Sequence, residues 1–252
     1  MKKIYLFLCA AALLALPSCD LFVLDNFDGP DASISGKIID ASNQQRIEVE
    51  NGSLVAIEQG WDAEQEQLWM VKYNGEFSND MVFSGSYRIS TKRLPCFEIE
   101  KEISLKKGKN NVDFELVPFC RILDPVFRYD ESSHKIIATF SVEPGDPSKA
   151  NMISRVVLCA STSCFVGNTM NNCSRDNGSS KSNVEPGKTI TLEIDTNLDA
   201  NREEFKYKRT HYLRIGAVVK GNGFNNSDIY NYSPVYEISG DFSTIKEFNW
   251  SK

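Results

Sequence analysis

Residues 68–77 read LWMVKYNGEF. The run Leu68-Trp69-Met70-Val71-Lys72-Tyr73 is rich in side chains that suit a pleated, half-buried strand. Asn74-Gly75 follows, a pair that accepts the positive φ angles of a two-residue type I′ turn, and Glu76-Phe77 then turns back. The stretch predicts a β-hairpin. The same grammar extends outward. SISGKIID (33–40), SLVAIE (53–58), GSYRIST (85–91) and VDFELV (112–117) are short strand-like runs divided by Gly, Asn, Asp and Pro. Phe97 through Leu105 alternates, and Lys106 through Asn111 reads as a polar turn. Past residue 130, KIIATFSVE (135–143), ISRVVLCA (153–160), KTITLEID (188–195), HYLRIGAVVK (211–220) and YNYSPVYEI (230–238) continue the pattern, broken by Pro144-Gly145-Asp146-Pro147. The apolar period is 2 rather than 3.6, and turn signals come at short intervals. The expected fold class is all-β, with two β-sandwich domains in tandem.

The N-terminus has a different logic. Lys2 and Lys3 precede a run of about thirteen mostly apolar residues, 4–16. That is too short for a hydrocarbon core needing roughly twenty residues, and it fits a secretory signal peptide. Leu16-Pro17-Ser18-Cys19 resembles the bacterial lipobox. That resemblance implies cleavage after residue 18 and a diacylglycerol thioether on Cys19, so residues 1–18 are the expected signal peptide and 19–30 a lipidated tether. The expected location is the outer membrane, lipid-anchored and facing the cell exterior. The acidic residues Asp20, Asp25 and Asp28 are spaced out rather than clustered.

Of the 252 residues 41% are hydrophobic, ample for a buried core, and loss of Lys2 and Lys3 takes the formal charge from −6 to −8. A basic footprint for nucleic acid is missing. His134 and His211 are the two histidines, far apart in sequence and without a Cys-x-x-Cys pattern, so no zinc site is expected. Neither a Gly-x-Ser-x-Gly elbow nor a phosphate loop occurs. The expectation is a protein that is not an enzyme and has no cofactor.

Gly36-Lys37-Ile38-Ile39-Asp40, Asn74-Gly75-Glu76-Phe77, Ser84-Gly85-Ser86-Tyr87-Arg88-Ile89 and Val112-Asp113-Phe114-Glu115-Leu116 together resemble the carboxypeptidase-regulatory-like, prealbumin-like β-sandwich. In that pattern Phe77, Tyr87 and Phe114 fill the core. The ending YLRIGAVV…YNYSPVYEI looks like the last two strands of an immunoglobulin or fibronectin type III sandwich. With the lipobox, the whole resembles a Bacteroidetes family of two-domain surface lipoproteins of unknown function, found beside starch-utilisation-system-like glycan uptake genes. The resemblance implies domains at 31–118 and 119–252. It also implies an accessory role in polysaccharide uptake. The alternatives are a subunit docking on an outer-membrane transporter complex, or an adhesive surface component.

Candidate site residues follow from exposure arguments. Sugars stack on aromatic faces beside hydrogen-bonding groups. Trp61 lies in a polar stretch with no core pattern, flanked by Glu58-Gln59-Gly60 and Asp62. Phe224 and Asn225 occupy a second such loop, Asn222-Gly223-Phe224-Asn225-Asn226. Trp69 is expected in the core, and Trp250 against the C-terminus; Tyr230 and Tyr232 share one face of a strand. Beyond Cys9 and Cys19, five cysteines remain. Cys164 and Cys173 flank a polar loop and are expected to bridge, a ring worth about 2–3 kcal/mol. Cys120 and Cys159 read as buried thiols. Asp195-Thr196-Asn197-Leu198-Asp199-Ala200-Asn201 spaces oxygen ligands as a calcium loop does. It has Ala200 where the sharp turn needs glycine, and Lys206 where the bidentate carboxylate belongs, so a plain polar loop is the simpler reading.

Overall fold

The structure is a computed structural model and describes residues 28–149, 152–174, 178–221, 223–224 and 227–251. Cys19 lies outside them. The chain is nearly all β.

The N-terminal sandwich contains β1 (Ala32–Asp40), β2 (Ser53–Glu58), β3 (Glu66–Met70), β4 (Glu76–Val82), β5 (Gly85–Arg93), β6 (Glu100–Leu105), β7 (Gly108–Asn111) and β8 (Phe114–Leu116). One sheet runs β4-β1-β7, with β8 also on β1; the facing sheet runs β3-β2-β5-β6. Alternate residues meet between them: Ile34 and Ile38 from β1, Phe77 from β4, Tyr87 and Ile89 from β5, and Phe114 from β8 are all buried. Phe77 and Phe114 sit 5.8 Å apart, and Trp69 and Tyr87 5.4 Å apart, both tilted. Such pairs add about 0.5–1.5 kcal/mol each beyond their buried area. The buried Tyr87 hydroxyl is satisfied by Phe83, accepting from its N–H at 3.2 Å and donating to its carbonyl at 3.1 Å. Phe77, Tyr87, Phe114 and Trp69 therefore stand where the sequence put them.

Two local readings change. The Asn74-Gly75 turn is a three-residue connection. Lys72 N–H donates to Glu76 O at 2.7 Å, Gly75 N–H donates to Lys72 O at 2.9 Å, and Gly75 takes the positive φ of 75°. That is a type I turn closed by a left-handed glycine rather than type I′. It also sends its strands into different sheets, β3 to one and β4 to the other. The polar turn expected over residues 106–111 supplies β7, which pairs in parallel with β1 from Ala32↔Gly108 to Ser35↔Asn111.

The C-terminal sandwich contains β9 (Cys120–Asp130), β10 (Lys135–Pro144), β11 (Ile153–Ser161), β12 (Ser180–Val184), β13 (Ile190–Asp195), helix α1 (Asp199–Phe205), β14 (His211–Val219), the hairpin β15 (Gly223–Phe224) and β16 (Ser227–Asp228), then β17 (Asn231–Tyr232), β18 (Tyr236–Ile238) and β19 (Ile245–Glu247). The sheet β13-β10-β9 faces β12-β11-β14-β18-β19, with β17 also on β14. Ile136, Ala138, Phe140 and Val142 alternate inward from β10, and Leu213, Ile215 and Ala217 from β14. β14 is buried on both faces, the condition under which a strand reads as an almost unbroken apolar run.

The outer face of β14 is covered by Tyr230, Tyr232 and Val235 of its own sandwich, and the N-terminal sandwich meets that face at Arg214, which is 0% exposed. A guanidinium carries five N–H donors, and here each has an acceptor. Nε donates to Ser233 O at 3.0 Å. Nη1 donates to Val49 O at 3.2 Å and Val166 O at 3.4 Å, and Nη2 donates to Glu48 Oε2 at 2.8 Å and Tyr73 O at 3.1 Å. The Tyr232 and Tyr73 rings lie 4.4 and 5.3 Å from its centre. Burial raises the Glu48 carboxyl above its ordinary value, with Arg214 and Arg46 pulling against it. Burial also lowers Arg214, opposed first by Glu48; an arginine remains charged through such a shift.

Other contacts flank this one. Arg121 grips Asp40 bidentately at 2.5 and 3.0 Å. Burial works to raise the Asp40 carboxyl, and hydrogen bonds from Arg121 and Ser42 bring it below its ordinary value. Asn231 accepts from Cys120 N–H at 3.1 Å and donates to Pro95 O at 2.8 Å. Glu50 accepts from the N–H groups of Asn168 and Thr169 at 2.9 and 3.0 Å and from the Tyr232 hydroxyl. Tyr230 and Tyr232 do share a face, stacked at 5.9 Å and buried.

Candidate functional site

The loop joining β2 to β3 carries Trp61, which is 64% exposed. Beneath it opens a cavity of about 420 Å³ lined by Glu58, Trp61, Asp62, Ala63, Gln65 and Gln67. Its position follows from strand alternation. Trp69 points into the core, and the same face of the chain continues past the strand start through Gln67 and Gln65 into the cavity. The intervening residues turn the other way and tie the loop down. Glu64 meets Arg88 at 2.6 Å, and Glu66 meets Lys92 at 2.5 Å. The Lys92 hydrogen bond holds the Glu66 carboxyl below its ordinary value.

The groups around the cavity divide the work of holding a polyhydroxylated ligand. Trp61 offers a flat apolar face. Glu58 and Asp62 offer carboxylate acceptors. Gln67 Oε1 accepts from the core Trp69 Nε1 at 3.3 Å, which commits its oxygen and leaves its NH₂ to donate. Sequence reasoning found Trp61, Glu58 and Asp62 and passed over Gln65 and Gln67; their two-residue spacing from Trp69 was the available signal.

The other expected residues are not brought to this cavity. Phe224 has its backbone in the hairpin β15–β16, paired with Ser227. Asn225 lies outside the described residues, and among the described residues nothing from that loop lines the Trp61 cavity. The expected Cys164–Cys173 bridge gives way to two free thiols. Cys173 is 6% exposed in the core between the C-terminal sheets. Cys164 lies near Tyr73 and Tyr212. Burial pushes Cys96, Cys120 and Cys173 up to about 12, which suppresses the thiolate and with it nucleophilic chemistry.

In the 195–201 loop, Asp195 Oδ1 accepts from the N–H groups of Asn197 and Leu198 at 2.9 and 3.2 Å. Asn201 Nδ2 donates to Asp195 O at 2.8 Å, and Asp199 pairs with Arg202 at 2.9 Å. These oxygens hold the turn into α1. Among the described residues no group of three His, Cys, Asp or Glu gathers as a metal site.

No curated protein matches the chain. Solved structures do. A candidate carbohydrate-binding protein from Bacteroides uniformis superposes with a TM-score of 0.74 at 27% identity, covering 84% of this chain and 100% of its own. A DUF3823 family protein from Parabacteroides merdae gives 0.67 at 25% identity, over 82% of this chain and 98% of its own. A DUF3823 family protein from Bacteroides ovatus, at 16% identity and 0.66, covers 82% and 98% and shares the fold. Residues 32–117, the N-terminal sandwich that carries Trp61, match the family model for the N-terminal domain of DUF3823, described as a protein of unknown function.

Proposed function

We propose that the protein is a non-catalytic, lipid-anchored glycan-binding accessory of an outer-membrane polysaccharide uptake system, and that Trp61 is its stacking platform. The observation that carries this reading is the exposed Trp61 ring over a cavity furnished with carboxylates and amides. The likeness to a candidate carbohydrate-binding protein supports it. Trp61→Ala should weaken binding of the recognised polysaccharide about ten-fold, the loss of roughly 1–2 kcal/mol of aromatic contact. The melting temperature should hold, because the ring is outside the core. Isothermal calorimetry on the soluble body checks it, and unchanged affinity would reject the assignment. Firm capture of an outer-membrane transporter subunit, with no polysaccharide bound, would replace this function with that of a docking subunit.

Anchoring through Cys19 belongs to the same proposal. Cys19→Ala should move the protein out of the detergent phase in phase separation. Full partitioning of the variant into detergent would contradict the lipid anchor.

A further inference from the structure

A cleft of about 680 Å³ lies where the two sandwiches meet, well within the size of small-molecule sites, which favour domain junctions. The N-terminal sandwich gives it Asn43, Gln44, Gln45 and Arg46 from the loop after β1; the C-terminal sandwich gives it Glu247 and Trp250. The Trp250 ring is half-buried and propped edge-on by Phe248 at 5.0 Å, with Phe165 6.0 Å away. It is held in place without being withdrawn from solvent.

Charge limits what the cleft can take. Arg46 is already paired with Glu76 at 2.7 Å, Arg121 with Asp40, and Glu48 with Arg214 beneath the floor. That leaves Lys37 and Glu247, one of each sign, on the lining. An anionic ligand would find Lys37 as its one remaining cation, offset by the Glu247 carboxylate on the same lining. The remaining recognition groups are neutral amides beside an aromatic ring. Gln44 is held at φ +61°, a backbone region uncommon for a long side chain and met more often at binding sites.

We propose that this cleft is a second carbohydrate subsite, which takes a neutral oligosaccharide segment against Trp250 with Asn43, Gln44 and Gln45 as hydrogen-bonding partners. It borrows its ligand class from the glycan reading of the Trp61 cavity and rests on separate residues. Two such sites on one chain would hold one polysaccharide at two points, and linked contacts strengthen binding beyond either alone.

Hydrogen–deuterium exchange on the full soluble body tests this, with saturating amylopectin, xylan, galactomannan and mixed-linkage β-glucan as separate probes. At least one probe should protect residues 43–46 and 247–251 as well as 58–67. Trp250→Ala, and separately Gln44→Ala with Gln45→Ala, should remove the first protection, spare that at 58–67, and lower affinity about ten-fold. Protection confined to 58–67 overturns the cleft and spares Trp61. Protection confined to 43–46 and 247–251 supports the cleft and rejects Trp61. No protection by any probe overturns both.

Discussion

Arg214→Ala should destabilise the protein by about 3–5 kcal/mol, the usual cost of breaking a buried ion pair from one side. Glu48 would keep its burial and lose its nearest cation, while the carbonyls of Val49, Tyr73, Val166 and Ser233 would lose donors in a space sealed from water. Each sandwich has its own core, so urea unfolding followed by tryptophan fluorescence and circular dichroism should separate into two transitions. Arg214→Lys should fall between, because an ammonium keeps the charge and has three donors without the planar fork. Glu48→Gln should cost less than Arg214→Ala, since an amide oxygen still accepts from the guanidinium. One unshifted transition for Arg214→Ala would refute the junction as the element that couples the halves.

Gly36→Ala should be nearly as damaging, about 3 kcal/mol, the upper range for overpacking. A Cβ there would stand 1.9 Å from the Val112 carbonyl oxygen and 2.7 Å from its carbon. Both are backbone atoms of the bend between β7 and β8, where Val112 N–H donates to Ser35 O at 2.9 Å. They cannot yield without parting β1 from its parallel neighbours. Gly85→Ala is the control: nothing lies within 4 Å of its added Cβ. Equal melting temperatures for the two variants would refute the close approach.

These two positions show where the sequence is legible and where it falls silent. Gly36 sits in a strand motif visible to the eye, and Phe77, Tyr87 and Phe114 follow from local alternation, because period 2 is written in neighbouring residues. Trp61 stood out because no apolar pattern surrounds it. The pairing of β1 with residues 108–116 was not readable, since a parallel ladder joins segments far apart and residues 106–111 are polar. Arg214 was hidden for the same reason. It interrupts an apolar strand, and the groups that make it tolerable, Glu48, Val49 and Tyr73, lie more than a hundred residues upstream. Cys164 and Cys173 stand as free thiols, because closeness in sequence does not by itself bring two side chains into bonding geometry. The junction cleft is likewise built from segments that only folding brings together.

The parallel placement of β1 also decides how the molecule bears load. β1 lies between β4 on one side and β7 and β8 on the other, with Ala32 opposite Gly108 and Asp40 opposite Leu116. A chain tethered upstream of residue 32 and pulled through the C-terminal sandwich feels tension at the start of β1 and at the end of β8, in opposite directions along one ladder. The hydrogen bonds then resist together, in shear, where an antiparallel hairpin pulled at its open end would yield one bond at a time. Under the lipid anchor and polysaccharide ligand proposed above, the strand nearest the anchor would be the one to withstand the drag of a long polymer.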